Sequence, residues 1–465
     1  MDISLPDAPR TPVIERIETG LSPEDVFKIF ENSPYSSMLN SSLKTDAGRY
    51  SFIGTEPFLL LASKEDEAAL KYGGKVHGFE CDPFELLSAI LGAYRIKNSD
   101  GLPFTAGGIG YFGYDLKNLL EDLPSNAKDD LGLPDMHFAF YRALLIWDKK
   151  DPGKITISVM DKDPKLLMNK IKGALRTPPC PLPLAPCPKR PQFKSNFTKA
   201  AYLKAIRKVL EHIKAGNIYQ ACLSQRFVSE WGRDPYDLYR RLNKISPAPF
   251  SSYLNLKTAN ILSSSPELFL KVADGTVETR PMKGTRPRGK TKIEDREQRA
   301  ELELSEKDKA ELAMIVDLER NDLGKVCLPG SIKVEESRRI EEYASVFQGI
   351  SVIKGTLRED ASLVDTVKAA FPGGSISGCP KIRALEIIDE LEPTARGIYT
   401  GGIGYLSFHD TMELSVAIRT MVHKSGKVYF QSGGGIVADS DPKKEYEETL
   451  VKAKAMMEAL GDREM

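Results

Sequence analysis

Seven of the fourteen residues from Pro178 to Pro191 are proline, in the stretch TPPCPLPLAPCPKRP. Proline lacks a backbone N–H and fixes φ, so this stretch offers few donors to a helix or a sheet ladder and favours extended polyproline geometry. It is expected to be a semi-rigid connector over residues 177–193, dividing an N-terminal lobe, 1–176, from a longer segment, 194–465. Any fold must place compact structure on both sides of it.

Before the connector, short strand-like pieces (RYSFIG, FLLLAS, FAFYRALLIWD, KITISVM) alternate with turns and with helical stretches such as DPFELLSAILGAYR. After it, NFTKAAYLKAIRKVLEHIKAG reads as an amphipathic helix closed by Gly216, followed by the strands IYQACLSQRFVSEW, FSSYLNL and NILSSSPELFLKV. Strands and helices mixed without regular alternation predict an α+β protein. The pentapeptide GGIGY occurs at 107–111 and again at 401–405. It marks either strands closely approached by another backbone or equivalent strands of two lobes.

The 65 basic residues match 65 acidic ones, so no net charge draws the chain to nucleic acid or an acidic membrane. No apolar run approaches the roughly 18 residues of a membrane helix. MDISLPDAPRTPVIERIETG lacks the basic and apolar regions of a secretory signal, so a cytoplasmic location is expected. The six cysteines are scattered and read as free thiols.

Helical carboxylates are the most informative feature. In SEKDKAELAMIVDLERNDL, Ser305 is the expected N-cap with Asp308 three residues on. At 100° per residue, Leu304, Glu311, Ile315 and Leu318 share a stripe, which sets Glu311 within an apolar face. A carboxylate there must be paired, protonated or bound to a metal, since uncompensated burial costs several kcal/mol, roughly. In SDPKKEYEETLVKAKAMMEAL, Asp441 can cap, and Glu445, Glu448 and Lys452 share a face whose simplest reading is solvated, with an i, i+4 salt bridge. The five histidines are isolated, so a metal held by these carboxylates would be a hard cation, Mg²⁺.

FPGGSISGCPKIRALEIIDELEP and QSGGGIVADS are expected to form glycine-rich turns able to present N–H groups to an anion. Arg419, in SVAIRTMV, is a strand arginine suited to a carboxylate. Glu267, after a proline at a strand start, reads as solvent-facing from its local context alone. Lys283 stands in an apparent turn, RPMKGTRPRG. A free lysine, with a pKa near about 10.4, is protonated at neutral pH. Burial, or nearby Arg280 and Arg286, would lower that value and free the amine to act as a nucleophile.

Taken together, RPMKGTRPRG, KDKAELAMIVDLERNDLG, FPGGSISGCPKIRALEIIDELEP, GGIGYLSF and SGGGIVADSDPKKEYEET occur in the order and spacing of the chorismate-utilising enzymes. The chain resembles this family strongly over residues 195–460, and GGIGYFGYDL extends the likeness more loosely toward the N-terminus. The resemblance implies two large, mostly antiparallel β-sheets packed between helices. It also implies roles: Glu267 as general acid; Glu311 and Glu448 as Mg²⁺ ligands, with Asp308 and Glu445 as outer carboxylates; and Tyr399, Arg419, Gly433, Gly434, Gly435 and Lys452 as substrate contacts. Anthranilate-forming members carry alanine in place of Lys283, whereas aminodeoxychorismate-forming members carry lysine, proposed there to attack C2 of chorismate.

The implied activity is therefore amination of chorismate to 4-amino-4-deoxychorismate, toward 4-aminobenzoate and folate, with anthranilate formation as the alternative. Ammonia would come from a separate glutamine amidotransferase, because these blocks leave no room for a fused one. A non-catalytic regulatory subunit is disfavoured by the intact set Lys283, Glu267, Glu311 and Glu448. Met282, Ser377 and Cys379 depart from the family's commonest residues by small or volume-conserving changes. Some members bind tryptophan in their N-terminal half, where SPYSSMLNSS and ISPAPFSSYL are the segments of interest.

Overall fold

The computed structural model describes residues 5–7, 11–43, 45–98, 100–176, 191–343 and 346–461. Residues 177–190 of the expected connector, with Cys180 and Cys187, lie outside the described residues. The helix expected after the connector is present as Lys199–Lys214, with Thr198 as N-cap and Gly216 just beyond its end at φ 77°.

Every pairing between the named strands is antiparallel, and the architecture grows from one long pair. Tyr50–Lys64 lies beside Met136–Asp148 along nearly its whole length. From this pair one sheet continues through Ser37–Asn40, Phe250–Asn255, Asn260–Ser265, Thr420–Lys424 and Lys427–Ile436 to Gln220–Glu230. The other runs through Gly107–Phe112, Gly402–Ser407, Met412–Val416, Leu268–Ala273 and Thr276–Thr279 to Val346–Thr356, which also pairs with Met282–Pro287. This is the α+β arrangement of two large antiparallel sheets with helices, built from chain on both sides of the connector.

The repeated pentapeptide has a direct explanation, for its two copies pair with each other. Gly110 lies opposite Gly404, Tyr111 opposite Ile403, and Ile109 opposite Tyr405. A Cβ on Gly110 would stand 1.9 Å from the His137 carbonyl oxygen, and one on Gly404 would stand 1.8 Å from that of Glu413. Both glycines are thus required by close backbone approach. Between the sheets, Phe52, Phe104, Ile109, Tyr111, Ile403 and Tyr405 form a buried cluster in which Phe104 stacks on Tyr405 at 4.5 Å. Full burial of side chains this size stabilises the fold by about 1.5–3 kcal/mol each. The segments SPYSSMLNSS and ISPAPFSSYL meet as the neighbouring strands Ser37–Asn40 and Phe250–Asn255.

Three local expectations are corrected. RPMKGTRPRG is not a turn: Met282–Pro287 is a strand, with a bulge between Lys283 and Thr285 at Gly284, whose φ is 80°. The glycines of QSGGGIVADS lie inside the strand Lys427–Ile436, opposite Ser224, Leu223 and Cys222. FPGGSISG is not a flexible turn but a buried segment that contains a short 3₁₀ turn. In each case packing against neighbouring strands overrides local turn chemistry. Among the described residues, no helix is long and apolar enough to cross a membrane.

Candidate active site

The two sheets, which diverge from a shared pair, meet again where Lys283 faces the glycine strand. The bulge at Gly284 turns the strand locally, a device that re-aims side chains. Lys283 Nζ lies 3.2 Å from the point a Cβ on Gly435 would occupy. The expectation that Arg280 and Arg286 would lower its pKa is reversed. Arg280 is paired with Glu278 and Asp46, and Arg286 with Glu301 and Asp308. Burial works against the ammonium, yet Cys222, Glu311, Glu267 and Glu448 outweigh it and hold the Lys283 pKa above the ordinary lysine value.

Glu267 precedes the strand Leu268–Ala273 and is only 4% exposed, contrary to the solvent-facing reading of its local sequence. Its Oε1 accepts from the Met282 N–H at 3.4 Å, and Ser375 adds a side-chain hydrogen bond. Burial pushes its pKa up to about 7, against the Ser375 bond and the charges of Lys283 and Lys452. A large share of this carboxyl therefore keeps its proton at neutral pH, the state a general acid needs.

The helix Glu306–Gly324 begins as expected, with Ser305 Oγ accepting from the Asp308 N–H at 3.3 Å. Its buried face, however, runs through Leu312, Ile315, Val316, Glu319, Asp322 and Leu323, and Leu304 is exposed at the end of the preceding helix. Glu311 sits at the margin of that face rather than within it. Burial raises its pKa, Lys283 and Lys307 pull it back, and the charges of Asp308 and Glu448 push it up again. Asp308 also belongs to an ion pair with Arg286 at 3.2 Å.

The helix Pro442–Leu460 supplies the opposite wall. Its acidic face is only partly solvated: Glu445 is buried, while the Glu448 side chain is 49% exposed. The expected i, i+4 bridge is present, with Lys452 Nζ 2.7 Å from Glu448 Oε1, and the same amine donates to the Gly433 carbonyl at 3.1 Å. Lys452 holds Glu448 below the ordinary carboxylate value, while burial raises Glu445 and the Glu448 charge adds to that rise. A Cβ on Gly434 would stand 3.4 Å from Glu445 Oε2 and 3.6 Å from Glu448 Oε1. The bare strand thus lets these carboxylates close over it.

Among the described residues, no three acidic, histidine or cysteine side chains close on one point as a preformed metal cage. The donor set nonetheless fits Mg²⁺, which takes one or two carboxylates and fills its other positions with water or substrate oxygen. Glu311, Glu445 and Glu448 are hard oxygen donors, and the Glu448 charge raises the pKa of both of the others.

Arg419 is not in a strand: it sits between Met412–Val416 and Thr420–Lys424 with φ 50°. Burial lowers its pKa, with Tyr343 opposing, and no ion pair to its guanidinium is found among the described residues. A desolvated guanidinium without a carboxylate favours an anionic ligand. Tyr399 is buried, its ring 5.8 Å from the Arg396 guanidinium, and burial raises its pKa.

Several neighbours escaped sequence reasoning. Cys222 and Ser375 face Lys283 and Glu267 respectively. Glu319 accepts from Thr279 Oγ1 at 2.9 Å, and burial, reinforced by the charge of Glu267, pushes its pKa up to about 8. Its place on the buried helix face follows from the spacing Leu312, Ile315, Glu319, Leu323 once the stripe is phased without Leu304.

Residues 43–458 match the model of the chorismate binding enzyme family. Anthranilate synthase component 1 of Acetivibrio thermocellus is 38% identical over 460 residues, 95% of this chain and 93% of that protein. Aminodeoxychorismate synthase component 1 of Salmonella typhimurium is 38% identical over 443 residues, 94% of this chain and 95% of that protein. The crystal structure of anthranilate synthase component I from Streptococcus pneumoniae superposes with a TM-score of 0.79 at 32% identity, covering 95% of this chain and 99% of that one. With the family match over most of its length and these relatives beside it, the chain belongs to the chorismate-binding enzymes.

Proposed function

We propose that this protein aminates chorismate at C4, forming 4-amino-4-deoxychorismate from ammonia released by a partner glutamine amidotransferase. The observation that carries this reading is the Lys283 amine, brought by a bulge to the bare Gly435 backbone amid Glu267, Glu311 and Glu448. Glu311 and Glu448 would hold Mg²⁺, which when bound supplies positive charge for a substrate carboxylate. Arg419 would take an anionic group, and Gly433, Gly434 and Gly435 would present bare backbone to the substrate.

In this reading Lys283 forms a bond to C2 as the C4–O bond breaks, and Glu267 gives its proton to the departing hydroxyl, which leaves as water. Ammonia then bonds to C4 as the C2–N bond to Lys283 breaks, and the Glu267 carboxylate recovers a proton from the added nitrogen. Splitting one displacement into two lowers each barrier. Because Lys283 rests as an ammonium, it would first pass a proton to the ionised share of Glu267, which then delivers that proton to the hydroxyl as the first bond forms.

Anthranilate formation is the second reading, favoured by relatives such as the Acetivibrio thermocellus protein and by the Aquifex aeolicus anthranilate synthase component 1, 36% identical over 468 residues. The two diverge at Lys283. Enzyme mixed with chorismate and Mg²⁺ without ammonia, then acid-quenched and digested, should yield a Lys283 peptide heavier by chorismate less one water. The adduct should require Mg²⁺. Its absence, together with undiminished turnover by Lys283→Ala, would overturn the lysine reading.

A further inference from the structure

The strand Gln220–Glu230 opens with a residue that has no counterpart in the scheme above. Gln220 is 0% exposed, and neither Oε1 nor Nε2 of its amide has a hydrogen-bond partner. Leaving such a group empty costs on the order of 1–3 kcal/mol per unmet donor or acceptor, so an unfilled buried amide calls for an explanation. Its position supplies one. Nε2 lies 2.1 Å from the point a Cβ on Gly435 would occupy, and Lys283 Nζ lies 3.2 Å from the same point. The amide and the amine converge over one glycine, and any other residue at position 435 would drive them apart.

Resting on the reading of Lys283 as the nucleophile, we propose that Gln220 is a positioning residue: with its amide turned half a revolution, so that Oε1 takes the place of Nε2 over Gly435, the oxygen accepts from the Lys283 amine and holds it in its attacking orientation. An amine that attacks carbon must aim its lone pair at that carbon, which leaves two N–H bonds to be satisfied in a desolvated site. Glu267, Glu311 and Glu448 are all carboxyl groups, and an ionised carboxylate binds the ammonium better than the amine. Gln220 is a neutral acceptor beside Lys283, so it holds the reactive form without favouring the charged one. Cys222, two residues along the strand and therefore on the same face, lies opposite Gly435.

The test uses the whole chain and Gln220→Met, which keeps length and bulk but removes both polar atoms. Its first readout is independent of turnover: reductive methylation of the free enzyme, with the Lys283 and Lys452 peptides compared by mass spectrometry. The Lys283 to Lys452 labelling ratio should fall by about threefold or more, since the neutral acceptor that holds the reactive amine is lost. Its second readout is steady-state kinetics, where kcat should fall by about tenfold or more while KM for chorismate stays within about twofold. Should Gln220→Met fail to fold, Gln220→Asn withdraws the amide by one methylene and should act in the same direction. A folded variant with unchanged labelling ratio and full kcat would overturn the proposal. A lowered ratio in a protein whose Lys283→Ala form turns over normally would instead uphold the contact and sink the nucleophile reading.

Discussion

With its pKa pushed up to about 7 by burial, Glu267 keeps its proton in the folded protein where an ordinary glutamate, at 4.5, has lost it. The folded state then binds more protons than the unfolded chain, so this residue's contribution to stability declines as pH rises from about 4.5 to about 7 and stays lost above that. Glu267→Gln, which cannot ionise, should therefore raise the melting temperature at pH 8 and leave it nearly unchanged at pH 4. The gain should be on the order of 3 kcal/mol at most, and activity should be lost. A melting temperature that falls equally at both pH values would show that the carboxyl is not held in its raised state. Residue identity alone does not reveal this: Ser-Pro-Glu at a strand start carries no burial signal, and Glu267 is recognisable only through the company of five blocks elsewhere in the chain. The charge on Lys283 is hidden from the sequence for a related reason. Sequence neighbours Arg280 and Arg286 point to other partners, whereas the carboxylates that set its state come from positions such as Glu311 and Glu448.

Elements place these residues, and glycine does so twice. At Gly284 the backbone has φ 80°, and a Cβ would stand 2.8 Å from Leu302 Cδ1 and 2.9 Å from Asp308 Cγ. Gly284→Ala should cost about 1–2 kcal/mol for the left-handed conformation alone. Because relief of the strain would shift the bulge that aims Lys283, kcat should drop by about tenfold or more with a smaller change in KM. Parallel loss of kcat and structure in a chemical unfolding series would instead assign Gly284 to stability only. The glycine strand shows what a sequence pattern conceals: three consecutive glycines look like a turn, and only the facing Ser224, Leu223 and Cys222 make them a strand. The acidic helix was legible in its cap and extent. Its phase was not, because Leu304, which fits the stripe by spacing, belongs to the preceding helix.

At the scale of the whole molecule, both sheets draw strands from each side of the proline-rich stretch. The pairs Ser37–Asn40 with Phe250–Asn255 and Gly107–Phe112 with Gly402–Ser407 join chain distant in sequence. The α+β class was readable from the mixture of strands and helices, whereas the repeated GGIGY gave no sign in sequence that its two copies pair with each other. What pattern could not give was the return of the two sheets to a common site, which depends on strand order over the full chain. That meeting brings the Lys283 amine of one sheet to the glycine strand of the other, and the account stands on what the amine does there. The purified chain with chorismate, Mg²⁺ and an ammonium salt at high pH, its products separated by chromatography and weighed, tests this most directly. A product that keeps the pyruvyl group and carries an amine in place of the C4 hydroxyl is the predicted result. Fluorescent anthranilate released with pyruvate would contradict it.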